Sequence, residues 1–286
     1  MDELIDIAII GGGPAGMSAA LNAHVRNKSV KIFTGKHKDS GLFKAESVDN
    51  YLGMPDVPGD VFLETCRKHI EERGIQAVVG RVLSIMPMGT QFYISSGPEV
   101  YSARAIILAS GVVMQTAYPG EQELLGRGVS YCATCDGMLY RNKKVVVVAK
   151  NDEAGHEANF LNEIGCSVTV ISDGREFDEL SADIQVVSGK KLEIYGDDKV
   201  EGISIDGEQL DCQGVFILRK SIAISTLMPS IELIGGHISV DRSMAASVPG
   251  VYAAGDCTGR PYQVAKAVGE GQMAALSAVE YLDNLK

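Results

Sequence analysis

Cys132 and Cys135, spaced C-x-x-C, are the residues with the most distinctive chemistry in this sequence. Two thiols at this spacing can close a small disulfide ring, and the arrangement commonly lowers the pKa of one thiol. Because a thiolate attacks other disulfides, such a pair can pass two electrons by exchange. Asp136 follows the second cysteine and can donate or accept the proton that this chemistry needs. The pattern predicts a redox-active dithiol.

Half of a zinc site is the alternative interpretation of the C-x-x-C pair. Zinc would need two further cysteine or histidine ligands in paired spacing. None of the five histidines forms an H-x3–5-H pair, and the other cysteines stand alone in the sequence: Cys66, Cys166, Cys212 and Cys257. The redox interpretation is therefore favoured, and no metal is expected.

Composition limits the class of protein. A chain of 286 residues with 32 glycines and many aliphatic side chains favours an α/β protein of two domains. Six cysteines, four of them isolated, suggest a reducing cytoplasm. No signal peptide and no apolar run of roughly 20 residues is evident, so neither secretion nor a membrane is expected. The net charge of −11 argues against nucleic acid and leaves small molecules and proteins as partners.

A glycine-rich turn near the N-terminus predicts a dinucleotide site. It joins a strand predicted over 4–10 to a helix predicted over 17–25 and has the form G-x-G-x-x-G. Such glycines let the backbone approach a pyrophosphate at a helix N-terminus. A turn without a ligand is the alternative. The candidate cofactor-binding residues are Gly11, Gly13, Pro14, Ala15 and Gly16.

A second glycine motif lies near the C-terminus. A short strand within 248–256 closes on Gly255 and Asp256, whose carboxylate can hydrogen-bond a ribityl hydroxyl; capping a helix is the alternative role for Asp256. No ribose-binding acid ends the strand predicted over 30–33. The further candidate cofactor-binding residues are Thr34, Asn50, Gly111 and Gln263.

The remaining elements are predicted from periodicity. Helices are expected over 61–73 and 262–282, and a loop that lies over the cofactor is expected over 41–59. Strands are expected over 76–87, 91–96, 100–108, 144–148 and 167–171.

Taken together, these motifs resemble the low-molecular-weight thioredoxin reductases. The resemblance covers nearly the whole chain, and C-A-T-C-D-G preceded by G-R-G-V-S at 126–130 is its most specific part. It implies two Rossmann-like, three-layer α/β domains: an FAD domain of 1–113 and 242–286, split by an inserted domain of 114–241 that carries the dithiol. It also implies FAD as cofactor, thioredoxin as partner and a homodimer.

One departure from that family concerns the pyridine nucleotide. Where the inserted domain should carry a second G-x-G-x-x-G/A, the segment 149–154 reads A-K-N-D-E-A. Asp152 and Glu153 stand where phosphates would lie, which is electrostatically unfavourable. The segment 172–175, S-D-G-R, replaces the basic cluster that would hold a 2′-phosphate. NADPH is therefore not expected to be the reductant.

A flavoprotein with a dithiol but no nucleotide motif resembles the ferredoxin-dependent flavin thioredoxin reductases. This resemblance implies ferredoxin, or alternatively flavodoxin, as electron donor. It further implies that Cys135 faces the flavin, Cys132 attacks thioredoxin and Asp136 handles the proton. The inserted domain is expected to rotate about linkers near 113 and 241.

Two rival functions stay open. One is an NADPH- or NADH-dependent thioredoxin reductase with an atypical nucleotide site, and the other is a non-catalytic flavin-binding redox sensor. For an acidic ferredoxin, the candidate docking surface is a basic stretch that can equally be an ordinary solvated face. Its residues are Arg26, Lys28, Lys31, Lys36, Lys38 and Lys44.

Overall fold

The computed structural model describes residues 4–35, 40–111, 117–151, 153–172, 174–177, 179–219 and 223–285. It divides the chain into two compact units. Unit 1 comprises Met1–Met114 and Ser221–Lys286, and unit 2 comprises Gln115–Lys220. The first boundary agrees with the predicted position near 113. The second lies at 220/221 instead of the predicted 241/242, because residues 224–227 pack against the sheet of unit 1.

The described residues form six α-helices and seventeen strands. The helices are α1 Pro14–His24, α2 Gly59–Glu72, α3 Ala133–Asp136, α4 Ala154–Glu163, α5 Ile224–Leu227 and α6 Val264–Asn284. The strands of the first half of the chain are β1 Ile5–Ile10, β2 Val30–Thr34, β3 Gln76–Val79, β4 Val82–Met88, β5 Gln91–Ser96, β6 Glu99–Leu108, β7 Val129–Ser130 and β8 Lys144–Lys150. Those of the second half are β9 Ser167–Ser172, β10 Gln185–Ser188, β11 Leu192–Tyr195, β12 Gly202–Ile205, β13 Glu208–Asp211, β14 Gly214–Arg219, β15 Leu233–Ile234, β16 His237–Ile238 and β17 Val251–Ala253.

Unit 1 is built on one sheet in the order β3-β2-β1-β6-β5-β4, with β17 also paired to β6. Strands β3, β2, β1, β6 and β17 run parallel, whereas β4, β5 and the start of β6 form the predicted antiparallel meander. The strand predicted over 76–87 is two strands, β3 and β4. The chain turns at Gly80, whose N–H donates to the Thr34 carbonyl at 3.0 Å, so β3 pairs with β2 and β4 pairs with β5.

Two helices cover one face of the unit 1 sheet. Ile7 and Ile9 of β1 share a core with the alanines of α1 and α6. Small side chains allow the two helices to approach closely: a Cβ added at Gly271 would lie 2.1 Å from the carbonyl oxygen of Ala15. Ser18 Oγ joins them further by donating to the Val268 carbonyl at 2.7 Å. This packing brings the C-terminal helix beside the first turn of α1.

Unit 2 has three layers around a parallel sheet in the order β10-β9-β8-β14-β7. The alternating valines of β8 face opposite ways. Val145 and Val147 share a core with Leu161 of α4, whereas Val146 and Val148 share another core with the antiparallel meander β11-β12-β13. The predicted class, two Rossmann-like α/β domains of which one is split by the other, is confirmed.

Candidate functional sites

The N-terminal glycine loop has the geometry of a ligand-binding turn. Gly11 has φ = +122°, and a Cβ there would lie 2.1 Å from the carbonyl oxygen of Ala109, so only glycine fits. Gly13 is the N-cap of α1 and offers no side-chain cap, while Pro14 occupies the first helical position. A Cβ on Gly13 would meet no protein atom within 4 Å. The loop is therefore closed on the protein side and open at the helix N-terminus.

Other predicted cofactor-binding residues lie around this loop. Thr34 at the end of β2 is buried, and a Cβ on Gly12 would lie 2.3 Å from its Oγ1. Gly255 has φ = +84°, and a Cβ there would lie 2.9 Å from the Cβ of Ala15. A Cβ on Gly16 would lie 1.9 Å from the Gly11 carbonyl oxygen, which accounts for the third glycine of the motif. The two glycine motifs, far apart in sequence, meet here.

Two predicted residues contact each other directly. Asn50 Nδ2 donates to Gln263 Oε1 at 2.7 Å, which links the 41–58 loop to the N-cap of α6. Gly111 lies just beyond β6, after Ser110, whose buried hydroxyl has no hydrogen-bond partner among the described residues. An orphaned hydroxyl beside an open helix N-terminus indicates that a polar ligand belongs here.

Asp256 sits on a turn that two residues of α6 hold in place. Lys266 Nζ donates to the carbonyls of Gly255 at 2.9 Å and Gly259 at 2.8 Å. Glu270 accepts from the Gly255 N–H at 2.9 Å and pairs with Lys266 at 3.0 Å. Sequence analysis did not single out this pair, although its i,i+4 spacing on α6 is the signal that could have found it.

The environment of Asp256 favours its neutral form. Burial raises the pKa of Asp256; Lys266 lowers it and Glu270 raises it, so the pKa stands above its ordinary value. The N-cap of the short helix Asp256–Thr258 is Gly255, which forms no side-chain cap bond. The alternative role of Asp256 as a helix cap therefore has no support.

Asp256→Asn is expected to stabilise the FAD-free protein at neutral pH and to weaken FAD binding. A raised folded-state pKa means that the carboxyl contributes stability at low pH, which is lost as the pH rises through that pKa. Asparagine carries no charge, so this loss of folding stability with rising pH does not occur. Its amide oxygen, however, accepts a hydrogen bond from a hydroxyl more weakly than a carboxylate does, so FAD affinity should fall about tenfold. Thermal unfolding against pH and FAD titration measure the two effects. Equal melting temperatures of the two FAD-free proteins at neutral pH would contradict the argument.

In unit 2, Cys132 and Cys135 form a disulfide with a Cα–Cα distance of 5.4 Å. Cys132 is the N-cap of α3, two residues after the end of β7, and is 7% exposed, whereas Cys135 is exposed. The part of the chain that the structure describes contains no group of three or more His, Cys, Asp or Glu side chains placed to hold a metal ion. The geometry is that of a dithiol–disulfide couple.

Ser130 joins the predicted proton-handling group to the dithiol. The buried Ser130 Oγ donates to Asp136 Oδ2 at 2.7 Å and accepts from the Cys132 N–H at 3.1 Å. Asp136 is thereby held beside the disulfide. Asp136 is predictable from the C-x-x-C-D motif, whereas Ser130 lies outside that motif and its role depends on this contact.

The other cysteines are poorly suited to exchange. Burial raises the pKa of Cys66 and Cys166, and it raises the pKa of Cys212 to about 12 and of Cys257 to about 11. Thiols with such values carry little thiolate at neutral pH. Exchange chemistry therefore concentrates at the disulfide.

The altered nucleotide motif is occupied by the protein's own side chains. Strand β8 runs on to Lys150, two residues further than predicted. Buried Asn151 then accepts from the Glu153 N–H at 3.0 Å and donates from Nδ2 to the Arg219 carbonyl at 3.4 Å. Phe177 packs on the first turn of α4, 3.2 Å from the position of a Cβ on Gly155. Asp152 and Asp173 lie outside the described residues.

An apolar pair follows the dithiol. Met138 and Leu139, on the short helix Gly137–Tyr140, are 59% and 69% exposed. Neither residue was predicted as functional, because the exposure of a hydrophobic side chain has no sequence signature. None of the helices in the described part of the chain combines the length and apolar character needed to cross a bilayer.

Comparison with known proteins identifies the family. The sequence matches the pyridine nucleotide-disulphide oxidoreductase family over residues 5–271. The chain belongs to this family. Among its members, a thioredoxin reductase of Treponema pallidum (strain Nichols) is 33% identical over 306 residues, with all of both chains covered. A thioredoxin reductase of Bacillus subtilis (strain 168) is 28% identical over 306 residues, covering 100% of this chain and 97% of the relative.

A solved oxidoreductase of the same family is similar in structure. The crystal structure of a ferredoxin-flavin thioredoxin reductase from Clostridium acetobutylicum superposes with a TM-score of 0.91 and 43% identity, covering 99% of each chain. These matches confirm the resemblance predicted from the glycine and C-A-T-C motifs. The protein is a flavoprotein disulfide oxidoreductase that binds FAD, and its relatives support thioredoxin reductase activity.

The residues present in unit 1 fit FAD. The open N-terminus of α1 at Gly13 suits a pyrophosphate, and the orphaned Ser110 hydroxyl suits a polar part of the cofactor. Asp256, Asn50 and Gln263 are placed by their contacts on the elements that flank the loop.

Proposed function

We propose that the protein is a thioredoxin reductase that takes its electrons from ferredoxin and passes them through FAD and the Cys132–Cys135 disulfide to thioredoxin. Similarity to a ferredoxin-flavin thioredoxin reductase supports the choice of donor. The observation that carries it is the state of the nucleotide motif in unit 2, where Asn151 and Phe177 occupy the start of α4.

The N-terminus of α4 offers no site for the phosphates of a pyridine nucleotide. In a Rossmann-like domain the pyrophosphate approaches the backbone at the helix N-terminus. Here the Glu153 N–H is already bonded to the Asn151 side chain, and the Glu153 backbone forms the N-cap of α4. Glu157 adds an acidic side chain to the first turn of α4. Direct use of NADPH or NADH, the nearest rival function, would require this arrangement to open.

The dithiol transfers two electrons by exchange. The thiolate of one cysteine bonds to a thioredoxin sulfur, the thioredoxin S–S bond breaks, and the departing sulfur takes a proton. The second cysteine then bonds to the first, the mixed disulfide breaks, and the second thioredoxin sulfur takes a proton. By resemblance Cys132 attacks first. Because Cys132 is the less exposed of the two cysteines in the disulfide state, it must become accessible once the ring opens.

Residues beside the dithiol are arranged for this reaction. Asp136, held by Ser130, is placed to move the protons. The exposed Met138 and Leu139 form an apolar surface that closely follows the disulfide in sequence. A thioredoxin can pack on this surface during exchange. When bound, FAD supplies the capacity to accept electrons singly and pass them on as a pair. A non-catalytic redox sensor would not need this arrangement.

The proposed basic docking stretch is partly engaged within unit 1. Arg26 Nη1 donates to the Asn22 carbonyl at 2.8 Å, Lys28 pairs with Asp283, and Lys31 lies 5.1 Å from the ring centroid of Tyr101. Lys36 and Lys38 lie outside the described residues. The stretch remains a prediction, as do the homodimer and the rotation of the inserted domain.

The donor is tested by anaerobic titration of the FAD-loaded protein, followed by flavin absorbance. We expect reduced ferredoxin to bleach the flavin and then to release thiols in added thioredoxin. NADPH and NADH should leave the flavin oxidised, because Asn151 and Phe177 exclude the nucleotide. Rapid bleaching by NADPH would establish the rival function. If the flavin stays oxidised with ferredoxin, NADPH and NADH, but the chemically reduced protein still releases thiols in thioredoxin, only the choice of ferredoxin as donor is wrong.

A further inference from the structure

A buried ion pair lies at the carboxyl edge of the unit 2 sheet. Glu121 is 2% exposed, and the Arg219 side chain is 10% exposed. The contact is bidentate: Arg219 Nη2 donates to Glu121 Oε2 at 2.7 Å, and Nη1 donates to Oε1. Burial would lower the pKa of Arg219, but the hydrogen bonds and charge of Glu121 outweigh it, and the pKa is raised. The Arg219 guanidinium is therefore charged at neutral pH.

Both oxygens of the Glu121 carboxylate accept two hydrogen bonds each. Besides Arg219, Oε1 accepts from the hydroxyl of Tyr131 at 2.8 Å, and Oε2 accepts from the Tyr118 N–H at 2.8 Å. The Arg219 guanidinium lies 4.9 Å from the ring centroid of Tyr118. A buried carboxylate with all its acceptor sites engaged has a single well-defined geometry.

This network reaches the dithiol through the chain. Tyr131 directly precedes Cys132 and follows β7. Strand β7 is parallel to β14, with Ser130 opposite Phe216, and Arg219 ends β14. The Tyr131–Glu121–Arg219 contacts thus tie the residue before the reactive sulfur to the end of the neighbouring strand. Strand β7 itself is short, with two residues.

We propose that Tyr131, Glu121 and Arg219 form a positioning set for the Cys132–Cys135 dithiol. A Rossmann-like domain binds its ligand at the carboxyl edge of its sheet. In unit 2 this edge holds the turn that carries the Cys132–Cys135 disulfide. A buried ion pair is weak evidence for stability, since a well-packed apolar replacement is often equally stable. In this protein the role of the Glu121–Arg219 ion pair is to fix the orientation of Cys132. The proposal rests on exchange between the dithiol and thioredoxin.

Tyr131→Phe tests the set, because it removes one hydrogen bond and no charge. The FAD-loaded protein is reduced with dithionite, freed of excess reductant and mixed with thioredoxin, so that no natural donor is needed. Because no reductant is left, the experiment follows a single turnover. We expect its limiting rate of thiol transfer to fall about tenfold with the half-saturating thioredoxin concentration unchanged, since a small misplacement of a reacting group is costly. Tyr195→Phe is the matched control: its hydroxyl donates to Asp211 at 3.4 Å within the β11-β12-β13 meander and not to Glu121, and it should match the wild type.

A second variant separates positioning from stability. Glu121→Leu/Arg219→Met/Tyr131→Phe removes every polar member, so no charge is left buried and thermal stability should recover towards the wild type. If the set positions the dithiol, the limiting single-turnover rate stays low in this stable protein. Recovery of that rate together with stability, or a wild-type rate in Tyr131→Phe, would overturn the proposal. Should the triple variant not fold, the Tyr131→Phe result decides alone.

Two further readouts keep the proposal distinct from the proposed function. If the reduced wild type transfers nothing to thioredoxin, the proposed function fails, and the same comparison is made with 5,5′-dithiobis(2-nitrobenzoate) as the disulfide. Alkylation of the reduced protein, quantified by mass spectrometry at each cysteine, reports position directly. We expect Tyr131→Phe to raise the alkylation rate of Cys132 relative to Cys135. An unchanged ratio would count against positioning.

Discussion

We expect Cys132→Ser and Cys135→Ser each to abolish thioredoxin reduction, a loss of at least about a thousandfold. A serine hydroxyl cannot form the disulfide through which both electrons pass, and the raised pKa values of the buried thiols Cys212 and Cys257 prevent them from taking over. Turnover with reduced ferredoxin, or with chemically reduced protein, measures the loss. Cys66→Ser, a change remote in sequence from the dithiol, is the control and should keep activity.

The same two variants assign the roles of the sulfurs. If Cys132 attacks first, Cys135→Ser leaves an attacking thiol without its resolving partner, and a stable mixed disulfide with thioredoxin should accumulate. Cys132→Ser should form none. Non-reducing electrophoresis distinguishes the outcomes. Trapping by Cys132→Ser alone would reverse the assignment and would agree with the greater exposure of Cys135 in the disulfide state.

The parts of the site that sequence could predict are those in which chemistry is local. The C-x-x-C-D run and the glycine loop each place their residues within a few positions, and the structure shows the disulfide and the left-handed Gly11 there. The glycine loop and Gly255 could be joined only through resemblance. In the structure they meet because small residues let α1 and α6 approach closely.

The parts that sequence could not predict depend on tertiary contact. Glu121 and Arg219 are 98 positions apart, and nothing in the local pattern around either indicates a buried pair. The compact units divide at 220/221 and not near 241 for a similar reason. Whether the segment 223–241 belongs to one unit or the other is decided by packing, for example of α5 against β4, and not by its composition.

Gly13→Val should weaken FAD binding about tenfold to a hundredfold while leaving the fold intact. A side chain on Gly13 meets no protein atom within 4 Å, and the residue has an extended backbone at φ = −82° that any residue adopts. The cost to the FAD-free protein should therefore stay within about 1 kcal/mol. The added methyls, however, project at the N-terminus of α1 where the pyrophosphate must approach, and overpacking of about 1–3 kcal/mol lowers the affinity about tenfold to a hundredfold.

Two other glycines make this prediction specific. Gly11→Ala places a Cβ 2.1 Å from the Ala109 carbonyl oxygen at a positive φ, so it should destabilise the fold itself, with or without FAD. Gly269→Ala, on an exposed position of α6 with open space around it, should raise stability slightly and keep FAD affinity. FAD titration and thermal unfolding of the FAD-free proteins separate the three. If Gly13→Val binds FAD as tightly as the wild type, the pyrophosphate does not lie at this helix N-terminus, and the cofactor site must be sought elsewhere in unit 1.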